Sequence, residues 1–370
     1  MRFSGVHKIT GSVLLSGLLG LMWWMLPTNS SQPPPAERLP VEVLLTAAES
    51  FADPPAKWDY QFPADHGAHP EQFGEYWLVA GRLHTPRQQT LGFQLAFYRL
   101  ALTTDATHRT SHWAAQQAYR AQLVLDSSQD GRAEERYSRD ALGLSGAELY
   151  SVWLEDWSLV FDPECDCWHL HAALDDHRLN LRLQAATAPP LPITGVPGLA
   201  VAQPGSHGYW WPDLQVQGQW QYGAEEYPVT GEAVLEHVWG RRLPVAQGQL
   251  SLNRLWLVLE EGTALRCLQL RRRSGGGRPL GECLLWSAQS DTPAWQPVSD
   301  RLRPVDSTQP LYPLTWSLER PAQALEVEFT AVRPHMREGG LPVWSGLLKG
   351  QGKRDRQALS GWGWLEFTQP

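Results

Sequence analysis

The sequence predicts an all-β protein of two domains, and three observations carry that expectation. Four segments alternate apolar and polar residues with the period of a strand: LGFQLAFYRLAL (91–102), HRLNLRLQA (177–185), RLWLVLEEG (254–262) and LEVEFTAV (325–332). Glycine and proline, 32 and 29 residues, punctuate these runs, and short strands with frequent turns mean sandwiches or barrels. A chain of 370 residues is too long for one ordinary core. Helical periodicity is weak and best in SHWAAQQAYRAQL (111–123).

The N-terminus reads as a targeting segment. Arg2 and Lys8 precede ITGSVLLSGLLGLMWWML (9–26), which carries no charge, so residues 1–30 are expected to be a signal peptide or a membrane anchor. Thr28 and Ser30 offer small residues for cleavage, without an A-x-A pattern, while Trp23 and Trp24 suit an interfacial anchor. Either way the body is expected to be exported, to the periplasm or to the periplasmic face of the inner membrane. A proline-rich linker follows over 31–57. The second proline- and glycine-rich break, 187–208, puts the domain boundary near 225, giving domains 58–225 and 226–370.

Composition excludes some functions. With 31 basic against 39 acidic residues the net charge is -8, which argues against nucleic acid as a partner. Tryptophan is abundant, 19 residues against 9 phenylalanines, and suits both sheet corners and the walls of apolar sites. Cys267 and Cys283 lie symmetrically about RRRSGGGRPLG, so a disulfide across a hairpin is expected. Cys165, Cys167, His169 and His171 share one face of a strand, but the first and last stand about 20 Å apart if extended. One metal cannot collect all four; Cys165 and Cys167 read as turn residues open to oxidation. No metal and no cofactor are expected.

The segment FPADHGAHPEQFGEYWLVAGRL (62–83) gathers Asp65, His66, His69 and Glu75 and runs on through Trp77 into a strand. These groups suit acid–base work or metal binding, or else hydrogen bonding that closes one barrel end. Glu75, if it points inward, needs a partner, and Arg99 on the next strand is the natural one.

This segment resembles the opening motif of the lipocalin-like AttH family, bacterial proteins often labelled predicted secreted hydrolases and related to the carotenoid 1,2-hydratases. The resemblance continues through GFQLAFYR (92–99), RYSRDALGLSGA (136–147), VWLEDWS (152–158), YPLTWSLE (312–319), VWSGLLKGQG (343–352) and GWGWLEFT (361–368). It implies two tandem lipocalin-like β-barrels or half-barrels. It also implies an exported protein that works beside an envelope ABC transporter permease, as some members are thought to do. The hydratases' His-x-Trp and Tyr-x-Asp stretches fall on His207-Gly208-Tyr209 and Val234-Leu235-Glu236. His207 is kept, Tyr209 stands where Trp is expected, Glu236 replaces Asp, and Val234 has lost the aromatic. Where AttH-like members carry Trp-Met-Asp-Arg-Glu-Trp, VLEHVWG (234–240) keeps Trp239 but not the Arg or the second acid, and a later Trp-Asp-Trp element reads Leu252-Asn253-Arg254.

Two functions follow. The first, preferred because the site is degenerate, is binding of a hydrophobic small molecule or lipid, with membrane contact through the N-terminal segment if that is kept. The second is a hydratase or hydrolase for an isoprenoid or lipid-like substrate, with Glu236 as acid and His207 assisting. Both place the site between the domains, around His207, Tyr209, Trp210, Trp211, Glu236, His237 and Trp239. There Glu236 is expected to titrate high, because burial disfavours its charged form.

Overall fold

The structure, a computed structural model, describes residues 48, 50–104, 115–194, 205–241, 250–272, 280–288, 290–297, 302–304, 314–321, 324–333 and 343–368. The expected signal or anchor segment and most of the linker lie outside these residues. None of the described helices is long and apolar enough to cross a membrane.

The first sheet is built from β1 (Gly74–His84), β2 (Thr90–Ala101), β3 (Gln117–Asp126), β4 (Gly131–Arg139), β5 (Ser145–Ala147), β6 (Ser151–Leu154), β7 (Trp157–Asp162), β8 (Cys167–Leu174), β9 (His177–Ala185), β10 (Leu191–Thr194), β11 (Ser206–Tyr222) and β12 (Glu225–Gly240). Its order is β4-β3-β2-β1-β12-β11-β9-β8-β7-β6-β5, with β10 paired to β11 beside this path. The end strands β4 and β5 approach one another, so the sheet curls into a near-barrel. The second sheet holds β13 (Leu250–Leu259), β14 (Thr263–Arg272), β15 (Leu280–Ser287), β16 (Ser290–Pro297), β17 (Leu302–Pro304), β18 (Thr315–Arg320), β19 (Leu325–Ala331), β20 (Val343–Arg354) and β21 (Gln357–Thr368). Its order is β16-β15-β14-β13-β21-β20-β19-β18-β17, a half-barrel.

Tight turns make this meander possible. Several hairpins turn on residues held at positive φ, among them Glu155 at 56°, Asp175 at 54°, Gly223 at 60°, and Asp355 and Arg356 at 49° and 68°. Such turns match the right-handed twist of the strands they join, and Gly and Asp are the residues that tolerate them best.

Alternation then assigns each strand two faces. Trp77, Val79, Phe93, Leu95, Tyr209, Leu235 and Trp239 enter the core inside the first sheet. Tyr76, Leu78, Ala80, Ala96, Trp210, Val234 and Val238 face the other way and pack on Trp256, Trp286, Leu347, Trp362 and Trp364 of the second sheet. The central strands are thus buried on both faces, which explains why EYWLVAG reads as a nearly unbroken apolar run. Gly92 sits at this contact: a Cβ there would lie 2.9 Å from the Leu347 Cβ and 3.0 Å from the Trp364 ring. A third core fills the half-barrel, with Leu257, Leu265, Trp316, Phe329 and Phe367.

The sheets divide the chain after β12. The change of sheet follows Gly240 rather than residue 225: the chain only turns at Gly223, and β12 returns antiparallel along β11 to pair with β1 on its other edge. Residues 117–123, within the segment whose helical periodicity is weak, belong to strand β3, held between β2 and β4 by ladder hydrogen bonds; residues 111–114 lie outside the described residues. Cys267 and Cys283 face each other in register on β14 and β15 and are joined by a disulfide, and Cys165 is joined to Cys167.

Candidate functional site

Register decides which of the expected site residues meet. Across β1, β12 and β11, Glu75 lies beside Trp239 and Trp239 beside His207; two residues along, Trp77 lies beside His237 and His237 beside Tyr209. These six side chains share the face turned into the first sheet. Glu236, between Leu78 and Trp210, is on the opposite face. The expected single site is therefore two clusters separated by the thickness of the sheet, and Glu236 cannot act together with His207.

The outer cluster is a closed ion network between the sheets. Arg266 grips Glu236 with two hydrogen bonds, Nε to Oε2 at 2.6 Å and Nη2 to Oε1 at 2.7 Å, and the Tyr76 hydroxyl donates to the same carboxylate. Arg254 lies over the Tyr76 ring at 4.9 Å and donates to Glu366 at 3.1 Å, which also accepts from Gln94. Burial alone would raise Glu236, but Arg266 outweighs it and holds the carboxyl below the usual range. This runs against the expectation of a high-titrating acid: the carboxylate is held by Arg266 and Tyr76. Trp210, also on this face, is fully buried against the second sheet.

The inner cluster holds the segment Phe62–Phe73 across one end of the near-barrel. Glu75 accepts from His69 Nδ1 at 2.7 Å, His237 Nε2 at 2.8 Å and Arg99 Nε at 2.9 Å. Arg99 also donates through Nη2 to the carbonyls of His69 and Gln72, at 2.6 and 3.1 Å. His69 Nε2 reaches Asp65 Oδ1 at 3.2 Å, and the other Asp65 oxygen accepts from the Gln61 backbone and Trp58. Burial works against a charge on His69, but its bonds to Asp65 and Glu75 prevail and push it up to about 9. Burial would raise Glu75, yet Arg99, His237 and His69 hold it far below the usual carboxylate range. His237 goes the other way: burial outweighs its bond to Glu75 and pulls it down to about 4, so the ring is neutral and donates through Nε2. Asp65, Glu75, His69 and Arg99 balance charge for charge.

Ligand atoms of His69, Glu75 and His237 lie within 4.8 Å of one another, the spacing of a metal set. In this structure the same atoms are taken up by hydrogen bonds to one another. His69 Nδ1 and His237 Nε2 both already bond Glu75 Oε1, and Arg99 already supplies a cation to the same carboxylate. The network is a buttress fastening residues 62–73 to β1 and β2.

His66 lies apart from this network and is built differently. Its Nδ1 meets the Tyr209 hydroxyl at 2.8 Å, and its ring is surrounded by Phe161 at 4.3 Å, Phe62 at 4.9 Å, Trp168 at 5.3 Å and Trp211, stacked at 5.4 Å. Burial, with a lesser contribution from His237, pulls His66 down to about 3, so it is a neutral imidazole; burial likewise keeps Tyr209 protonated. The buried Trp168 Nε1 has no hydrogen-bond partner among the described residues. Phe62, 39% exposed, covers this nest. Trp239 stacks on His69 at 3.8 Å, and His207 Nε2 donates to the Pro55 carbonyl at 2.6 Å, tying the incoming chain to β11. Sequence reasoning missed Trp58, Tyr60, Phe62 and Trp168; the aromatic run leading into FPADH was the available signal. Nothing local marked Arg266 as the partner of Glu236.

The family profile described as AttH-like matches residues 53–369. No curated protein matches the sequence. Among solved structures, a Nitrosomonas europaea protein described as AttH is 23% identical with a TM-score of 0.71, over 86% of this chain and 99% of that one. Kievitone hydratase from Nectria haematococca is 11% identical with a TM-score of 0.55, over 86% and 97%. CghA is 13% identical with a TM-score of 0.50, over 86% and 96%.

Proposed function

The chain belongs to the AttH-like family, and from that premise we propose that it binds an apolar ligand carrying one polar group at the His66 end of its near-barrel. The observation that carries this reading is the nest itself. A neutral imidazole, bonded through Nδ1 to the Tyr209 hydroxyl, and a buried indole N–H of Trp168 that has no partner among the described residues stand among aromatic rings beneath the half-exposed Phe62. Buried polar atoms call for a partner, and apolar walls with a few convergent polar groups are what ligand sites are made of. The proposal includes export, which the apolar run 9–26 supports, and a transporter partner, which the family resemblance alone supports.

A second reading rests on the Tyr209–His66 couple. A protonated phenol on a neutral imidazole is an acid–base pair of the kind that adding water to a double bond requires, and the fold is shared with a kievitone hydratase.

Titration with a fluorescent polyene fatty acid tests the site. His66→Leu is expected to weaken binding about tenfold, the worth of one hydrogen bond of roughly 1.4 kcal/mol. Glu236→Gln, on the far face, is expected to leave the affinity per folded molecule unchanged. An unchanged affinity in His66→Leu would remove His66 from the site.

A further inference from the structure

We propose that the Cys165–Cys167 disulfide is a thiol–disulfide exchange site, served by the groove beside it. The cysteines are two positions apart: Cys165 lies in the turn from β7 to β8, and Cys167 opens β8. Such a bridge stabilises the fold little, because the entropy it removes from the unfolded chain grows with loop length. The turn is in any case held by the ladder from Ser158–His171 to Asp162–Cys167. Cys267–Cys283 is the contrasting structural bridge: its cysteines are 16 positions apart, and both are buried between β14 and β15.

The surroundings of the short bridge are polarised. Arg182 Nε donates to Cys167 Sγ at 3.3 Å, and His169 Nε2 lies 3.7 Å from the same sulfur. Cys167 is buried and Cys165 is partly exposed. An incoming thiolate therefore reaches Cys165, and Cys167 is the leaving sulfur, departing as a thiolate beside a fixed guanidinium that stabilises it. In the first step the external sulfur bonds to Cys165 Sγ, the protein S–S bond breaks, and its electron pair stays on Cys167. In the second step another external thiolate attacks the mixed disulfide and releases Cys165. Two external thiols become one disulfide; two electrons and two protons pass to the protein, which becomes a dithiol. His169 and Arg182 also line an open groove of about 610 Å³, whose other walls include Val160, Gln217, Gln219 and Thr230. Val160 is an exposed apolar residue there. A cysteine-bearing polypeptide laid along the groove brings its sulfur to the bridge.

The test equilibrates the full chain in graded mixtures of reduced and oxidised dithiothreitol, traps thiols with N-ethylmaleimide, and maps the peptides by mass. Cys165–Cys167 is expected to open at a reductant ratio about tenfold or more below that for Cys267–Cys283. Arg182→Gln is expected to raise that ratio about tenfold, and Arg182→Lys, which keeps the charge, to restore it. Opening of both bridges together, or no shift in Arg182→Gln, overturns the proposal. A reduced cysteine-containing peptide is expected to be oxidised faster than glutathione, and Val160→Asp to abolish the difference; equal rates in the unaltered protein overturn the role of the groove.

Discussion

Glu75→Ala is expected to destabilise the protein by about 3–5 kcal/mol, the usual cost of breaking a buried ion pair from one side. The carboxylate is fully buried and accepts from two histidines and Arg99. Without it Arg99 keeps its charge in a place that water does not reach, His69 loses one of the two carboxylates that favour its charged form, and the hold on residues 62–73 is loosened at its root. Urea unfolding should show a lower midpoint with an unchanged slope. Replacing both Glu75 and Arg99 by Leu should cost less than the sum of the single changes, because no buried charge of that pair is then left alone. Additive losses would mean that the two do not act as a pair.

The second large effect is carried by pH. His69 is raised in the folded protein to about 9, from about 6.5 in the unfolded chain. A group raised in this way contributes stability that is fully present below about pH 6.5 and is lost as pH climbs through about 9. At about 1.4 kcal/mol per pH unit the contribution is on the order of 3 kcal/mol. His69→Gln also loses hydrogen bonds, but that loss does not depend on pH. The gap in unfolding free energy between the two proteins should therefore be wide near pH 6 and narrow by roughly this amount near pH 9.5. A gap that stays constant across that range would show that His69 is not the cation of the network.

What could be read from the sequence depended on distance along the chain. The alternation of LGFQLAFYRLAL marks β2 directly, because period two is written in neighbouring residues. The partnership of Glu75 with Arg99 was legible for a similar reason: one hairpin separates them, and a buried carboxylate on the first strand needs a cation on the second. Glu236 was misread because its partners arrive from elsewhere. Arg266 comes from the second sheet and Tyr76 from a strand 160 positions away, and together they reverse the direction in which burial pushes a carboxyl. The grouping of Glu236 with His207 failed for a different reason. The residues were gathered by nearness in sequence and by motif, but a one-residue step along a strand moves a side chain to the other face. The same rule, applied to SHGYWW and LEHVW once β11 and β12 are known to pair, separates Trp210 and Glu236 from Tyr209, His237 and Trp239.

The direct test of the ligand site is mass spectrometry of the organic extract of the protein purified from the cells that make it. The account predicts a single apolar species with one polar group, near one molecule per chain, retained by Glu236→Gln and lost from His66→Leu. If the Tyr209–His66 couple is catalytic, that species is accompanied by a form heavier by one water, absent from Tyr209→Phe. An extract with no bound species, or one that His66→Leu retains in full, would contradict the assignment.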